Sequence, residues 1–438
     1  MTAAHPSVSV PTRLTEDLLA RIDKRLTATD AFLARAYPGE DDRRQPVHTV
    51  YVPADQYTTD LPHRWGSAAA ALIDEHGGIE RLCAELGLAD DLASQVAPKV
   101  TAKLDREPIE DLRLDFEDGY GSRLDETEDA DTIRAARELS KAIAEGTAPA
   151  FVGLRFKCLE EPTRRRGLRT LDLFLTTLLD AGPLPDGLQI TLPKVSTASQ
   201  VEAMVEVCAG YEAAAGLTPG LLGFEIQVET PPLILSAEGR AEIALALHAG
   251  AGRVTSLHYG TFDYSASLGV SAAYQSLAHP AADYAKEVMQ AAVAGTGVHL
   301  SDGSTNVLPV GAADQVFDAW RLHHSLVRRS LERAYYQGWD MHFGHLPTRF
   351  VANFAFYREG FARATERLSD YLSKSGSGVL DEPATARALA RYLHRGYSCG
   401  ALDAAELQAA IPLTPDQLAQ LSRPKSDTDN IGRADTKE

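Results

Sequence analysis

Cysteine is scarce in this chain and never clustered. Cys83, Cys158, Cys208 and Cys399 lie far apart with no CxxC pair, which argues against a disulfide framework and a cysteine zinc site. No apolar run approaches the roughly 20 residues that a membrane span needs, and no secretory leader opens the sequence. No basic tract offsets the net charge of −18, so neither nucleic acid nor an anionic membrane is expected as a partner. No GxGxxG follows the first predicted strand, so the dinucleotide-binding doubly wound sheet loses its main signature. These absences lead to the expectation of a cytoplasmic protein with reduced thiols.

What remains is an ordinary globular composition, 44% hydrophobic and 24% charged, over 438 residues, long enough for one large barrel with appendages. Leu14, Leu18, Leu19, Ile22 and Leu26 recur at helical spacing, predicting an amino-terminal helix that reaches Tyr37 and stops at Pro38-Gly39. The spacing predicts strands over His48–Val52, Asp111–Phe116, Phe151–Phe156, Leu188–Leu192, Gly223–Thr230, Arg253–Tyr259, Val298–Leu300 and Gly338–Phe343. Helical patterns lie between them, including 67–105, Leu171–Leu179, a run from Ser236, Ala281–Ala294 and Ala313–Tyr336. Eight strands separated by helices predict an α/β fold, a (β/α)8 TIM barrel with an amino-terminal helix and a carboxyl-terminal helical extension. The expected divisions are 1–47 for the leader and first helix, 48–360 for the barrel, 361–423 for the helical region and 424–438 for a disordered tail.

The stretch from Phe224 to Gly269 organises the rest. Two of its strands each run out into a carboxylate, Glu229 and Asp263. In a parallel barrel both emerge at the carboxyl edge, where such folds place their chemistry. Two hard oxygen donors with no cysteine nearby suit Mg²⁺ or Mn²⁺. The alternative is a helix cap and a surface residue. Glu117-Asp118-Gly119, at the end of Asp111–Phe116, is either a ligand loop or an ordinary acidic turn.

The ordered set VPAD (52–55), LDFEDGYG (114–121), GLRF (153–156), LPK (192–194), VET (228–230) and GTFDYSASLG (260–269) resembles the HpcH/HpaI aldolase and citrate lyase β-subunit family. The run Gly260–Asp263 followed by Tyr264 also looks like the related malate synthases. The resemblance implies a metal-dependent barrel of the pyruvate kinase-like type. It implies Glu229 and Asp263 as ligands of Mg²⁺ or Mn²⁺, with Glu117 and Asp118 near the metal. It implies Arg155 on a substrate carboxylate or carbonyl oxygen, with Lys194, Gly260 and Thr261 also lining the substrate. The implied activity is a carbon–carbon lyase, aldolase or the reverse synthase, acting through an enolate on a small keto- or hydroxy-acid or its CoA thioester. A carboxyl-terminal helical piece that covers an active site, and a homo-oligomer, are further implications.

The segment Gly338–Pro347 departs from the family pattern, because the usual lysine is missing and His342 and His345 stand in an unusual place. A second metal site at those histidines is the weaker reading of a loop. His258, within the strand before Asp263, reads as a satisfied strand residue or as a general base. Arg164, Arg165, Arg166 and Arg169 read as a solvated face or as a site for the phosphates of coenzyme A. Two other functions compete: a barrel that handles phosphoenolpyruvate or phosphate with the same metal site, and a non-catalytic metabolite-binding barrel.

Overall fold

The strand Asp111–Asp115 (β2) shows how the barrel is written. Its alternation puts Leu112 and Leu114 on one face and Asp111, Arg113 and Asp115 on the other, and all five are buried. A parallel strand has both faces covered, one by helices and one by the barrel interior. The computed structural model describes residues 13–40, 43–373 and 382–423. The other strands are His48–Pro53 (β1), Phe151–Arg155 (β3), Leu188–Leu192 (β4), Phe224–Val228 (β5), Val254–Tyr259 (β6), His299–Ser301 (β7) and Gly338–Trp339 (β8). Every ladder is parallel, in the order β7-β6-β5-β4-β3-β2-β1-β8. A single parallel bridge between Ser301 and Gln337 brings the two ends of the sheet together. With helices between the strands, the fold is the expected TIM barrel.

Differences from the expected elements have local causes. The run 67–105 is three helices, Leu61–Glu75, Ile79–Glu85 and Asp90–Arg106. Gly77 and Gly78 break the first two apart with φ of 98° and 91°, a region that residues with a Cβ avoid. The helix expected from Ser236 begins only at Glu242, because Ser236 turns back to bond the Arg240 carbonyl at 2.9 Å. The strand Gly338–Phe343 pairs only over its first two residues. Just past it, the Asp340 amide bonds the Thr49 carbonyl of β1 (3.0 Å) and its buried side chain pairs with Arg349 (2.8 Å) and His48 (2.8 Å).

Beside the barrel, the 28-residue helix Leu346–Ser373 runs unbroken across residues 360 and 361. Its Phe350, Phe354 and Tyr357 share a second core with Leu393, Leu402, Leu407, Leu418 and Leu421 of the carboxyl-terminal segment. There, helices Pro383–Ser398, Ala404–Ala410 and Pro415–Leu421 follow, the last capped by the Thr414 side chain on the Gln417 amide (3.2 Å). Among the described residues no helix is long and apolar enough to cross a membrane. The expected leader Met1–Pro11, the tail 424–438 and all but the first residue of the linker Ser373–Gly378 lie outside the described residues.

The barrel interior is polar. Arg113 crosses it to Glu225 of β5 (2.7 Å) and also bonds Asp111. Tyr51 of β1 reaches the same Glu225 at 3.3 Å, and Thr49 caps Asp111 at 2.8 Å. Arg113, Asp111 and Glu225 are almost fully buried. A guanidinium between two carboxylates is tolerable there only while all three are present. Arg113→Met should therefore lower unfolding free energy by about 3–5 kcal/mol, the scale for orphaning a buried ion-pair partner. Urea unfolding at neutral pH checks this, and an unchanged midpoint would remove the triad from the account of the barrel's stability.

Candidate active site

Four strand ends converge at the carboxyl mouth. Glu229 stands one residue beyond β5 and is almost fully buried. It lies flat against Gly260 after β6, where a Cβ would come within 2.6 Å of the Glu229 Cβ, so glycine is required for the approach. After β4, Lys194 adopts a left-handed φ of 51°, which costs a residue with a Cβ roughly 1–2 kcal/mol. That turn aims the Lys194 amide at Glu229 Oε1 (2.8 Å). Its ammonium sits between Glu117 (2.7 Å), Asp263 (2.8 Å) and Asp118 (3.0 Å). The residues expected to hold or surround a metal are thus within reach of one cation. Asp263 and Asp118 face solvent, with side chains 46% and 57% exposed, while Glu117 and Glu229 form the dry side.

Arg155, at the end of β3, forms the floor. Its Nε and Nη2 make a two-pronged pair with Asp115, both at 2.7 Å, and Nη1 bonds Gln227 at 3.2 Å and approaches Glu117 at 3.5 Å. Its guanidinium carbon lies 4.8 Å from the Tyr51 ring centre and 5.6 Å from that of Trp339. Asp115 also accepts the amides of Glu117 (3.0 Å) and Gly119 (2.8 Å), and so shapes the acidic loop. Asp115 had not been singled out from the sequence. Its signal was present in the alternation that places it on the face of Asp111 and Arg113.

Charge is out of balance at this mouth. Arg155 is paired with Asp115, which leaves Glu117, Asp118 and Asp263 to share the Lys194 ammonium while Glu229 accepts its amide. Burial, and then the neighbouring Glu117 and Asp263 charges, push the Glu229 carboxyl up to about 8 against the pull of Lys194 and Arg155. Burial likewise raises Glu117, with Asp118 adding to it. Against burial that would lower it, Glu229 and Glu117 hold the Lys194 ammonium well above its ordinary value. An all-oxygen donor set with surplus negative charge fits a hard divalent cation such as Mg²⁺ or Mn²⁺.

Other sequence candidates are placed elsewhere or are otherwise engaged. The Thr261 hydroxyl is tied to the backbone of Ser304, accepting from its amide and donating to its carbonyl, both at 3.2 Å. His258 faces Glu225 at 3.1 Å, and Glu225 lies about 13 Å below Glu229 along the strand. Arg169 pairs with Asp129, and Arg166 with Asp129 and Glu128, on the flank of the helix before β3. Ligand atoms of His323, Asp340 and His345 lie within 4.8 Å of one another, so these three could also hold a metal. Most of their donor atoms are engaged, Asp340 with Arg349, His48 and His323, and His345 Nε2 with the Val307 carbonyl at 3.0 Å, while the buried His345 Nδ1 has no hydrogen-bond partner. Burial and the adjacent His323 lower His345 to about 3. His342 stands apart, its ring centre 6.4 Å from that of His345.

Solved structures of two kinds are similar to the chain. Solved structures similar to the chain include the malate synthase of Haloferax volcanii in its magnesium and glyoxylate complex. That match has 13% identity, a TM-score of 0.47, and covers 90% of this chain and 99% of that one. An HpcH/HpaI aldolase/citrate lyase family protein from Burkholderia cenocepacia J2315 matches at 16% identity and TM-score 0.38, over 77% of this chain and 98% of that one. An HpcH/HpaI aldolase from Desulfitobacterium hafniense matches at 14% and 0.38, over 74% and 93%. No curated protein matches the sequence. Residues 26–426, nearly the whole chain, match the family described as a domain of unknown function, DUF6986, and the chain belongs to that family.

Proposed function

We propose that this barrel is a Mg²⁺- or Mn²⁺-dependent carbon–carbon lyase, or the reverse synthase. Its substrate would be a small keto- or hydroxy-acid, free or as a CoA thioester, reacting through an enolate. The observation that carries the reading is the group of four carboxylates gathered by Lys194, three on its ammonium and Glu229 on its amide, beside a buried and fixed arginine. The ordered motifs that place those residues support the same reaction class.

In this reading Glu229 and Asp263 hold the cation, and Glu117 and Asp118 close the acidic side of the site. The bound cation would supply Lewis-acid polarisation of a substrate carbonyl. Arg155 opposes the negative charge that grows on the substrate oxygen as the carbon–carbon bond breaks or forms. Asp115, Tyr51 and Trp339 keep the guanidinium from swinging away, so little reorganisation accompanies that charge. Lys194 competes with the cation for the same carboxylate oxygens when the site is empty of substrate. Its long stem lets it move to the substrate's carboxylate instead.

Metal binding tests the ligand assignment. Glu229→Gln and Asp263→Asn should each abolish tight Mn²⁺ binding, read by electron paramagnetic resonance, with thermal unfolding retained. Lys194→Met should tighten Mn²⁺ by about tenfold, equivalent to about 1.4 kcal/mol, by removing the competing ammonium. Full Mn²⁺ affinity in either carboxylate variant would overturn the assignment.

Oxalate tests the reaction class, because it copies the planar enolate of a keto-acid and such mimics bind far more tightly than substrates. Its inhibition of pyruvate or glyoxylate release from a hydroxy-acid panel should require Mg²⁺ or Mn²⁺. In Arg155→Lys, kcat/KM per folded molecule should fall by about 10², and oxalate should weaken in parallel. Oxalate binding that is equally tight with the metal chelated away would defeat the mechanism. Competition by inorganic phosphate, with phosphate transfer, would instead favour the phosphate-handling barrel.

A further inference from the structure

The amino-terminal helix Glu16–Ala36 is anomalous in a chain with two well-filled cores. Over its 21 residues no side chain is buried. Leu19, Ile22, Leu26 and Leu33 stand 40%, 44%, 44% and 47% exposed. A helix packed on the barrel only at its carboxyl end is marginal in water, since most helical stability in proteins comes from an apolar face that finds a partner. Scattered exposed leucines are unremarkable, but a continuous stripe marks an interaction surface.

The spacing of the stripe identifies the partner. Leu19, Leu26 and Leu33 recur every seven residues, with Ile22, Thr29 and Ala36 three residues after each. These are the a and d positions of a three-heptad coiled-coil seam, at the lower limit for such pairing. In that register Arg25 falls at g and Asp30 at the next e, the two positions that face each other across parallel helices of a dimer. The seam is therefore complementary in charge to itself. Its acids (Glu16, Asp17, Asp23, Asp30) and bases (Arg21, Lys24, Arg25, Arg35) balance four to four, so nothing draws it to an anionic membrane.

We infer that this helix pairs in parallel with the same helix of a second copy of this chain, through the Leu19–Ile22–Leu26–Leu33 seam. Its carboxyl end is the fixed end: Phe32 and Tyr37 pack on His248 with ring centres 5.8 and 5.9 Å apart, and the Gly39 amide bonds the Gly295 carbonyl at 2.8 Å. His248 and Gly295 lie just before β6 and β7, at the amino-terminal mouth. Pairing there leaves the carboxylate cluster at the opposite mouth open, so assembly and metal binding are separable.

Sedimentation equilibrium of the full chain tests the inference. The wild type should show at least twice the single-chain mass of 47.3 kDa. Leu19→Glu/Leu26→Glu/Leu33→Glu should reduce the assembly mass by half or more, with far-ultraviolet dichroism of the barrel and Mn²⁺ binding unchanged. Arg25→Asp should weaken association several-fold, and adding Asp30→Arg should restore it. A wild type that sediments as one chain would overturn the pairing, as would an assembly that survives the triple glutamate variant. An Arg25→Asp variant that associates as well as wild type would refute the parallel register. A monomeric wild type that binds phosphatidylglycerol vesicles, with binding lost in the triple variant, would replace the second copy with a lipid surface.

Discussion

Two guanidinium groups, one above the other, organise the inside of this barrel. Arg113 joins Asp111 of its own strand to Glu225 on the far side, and Arg155 grips Asp115 one layer higher. A barrel of this size is usually filled by branched apolar side chains. Here two layers are polar, and each carboxylate survives burial because a fixed planar cation meets it. The lower pair is complete in itself. The upper pair leaves Glu117 at 3.5 Å from Arg155, only partly answered, and hands that charge on to the mouth.

This inheritance of charge explains why the site is where it is. Strand alternation that puts Asp111, Arg113 and Asp115 on one face carries on into a loop whose next acids are Glu117 and Asp118. On β5 the same period gives Glu225, Gln227 and Glu229. The acids deep in the barrel are paired, whereas those at the rim share a lysine. A gradient from satisfied to unsatisfied charge thus runs up the barrel. Its upper end is marked by Glu229, whose burial and acidic neighbours raise its carboxyl to about 8.

Much of this was legible in the sequence for a definite reason. Period-two alternation between turn residues locates β1 to β6 within one or two residues, because parallel strands are buried on both faces and leave little freedom of register. Glu229 and Asp263 were visible as carboxylates just past strand ends. What was not legible depends on contacts between distant segments. The helix before β4 starts at Arg164 rather than Leu171, and acids on another helix, Asp129 and Glu128, hold Arg166 and Arg169 of its first turns. β8 is two residues long, and the acid that follows it, Asp340, is fixed by Arg349 and His48. Neither partner can be inferred from spacing along the chain.

Lys194 is the sharpest case of this limit. Its motif places it at a strand end, and nothing in three residues announces a left-handed turn or an ammonium that meets three acids from two distant segments. Yet that turn is what makes the site a single unit, since the Lys194 amide and ammonium between them touch Glu117, Asp118, Glu229 and Asp263. One ammonium does not offset all of these acids, so the lysine keeps them assembled without fully neutralising them. In the proposed reading, such a site would favour a more highly charged cation, and the lysine would be released to meet an anionic substrate. In its left-handed conformation residue 194 serves both ends at once, the amide on Glu229 and the ammonium on the other three acids.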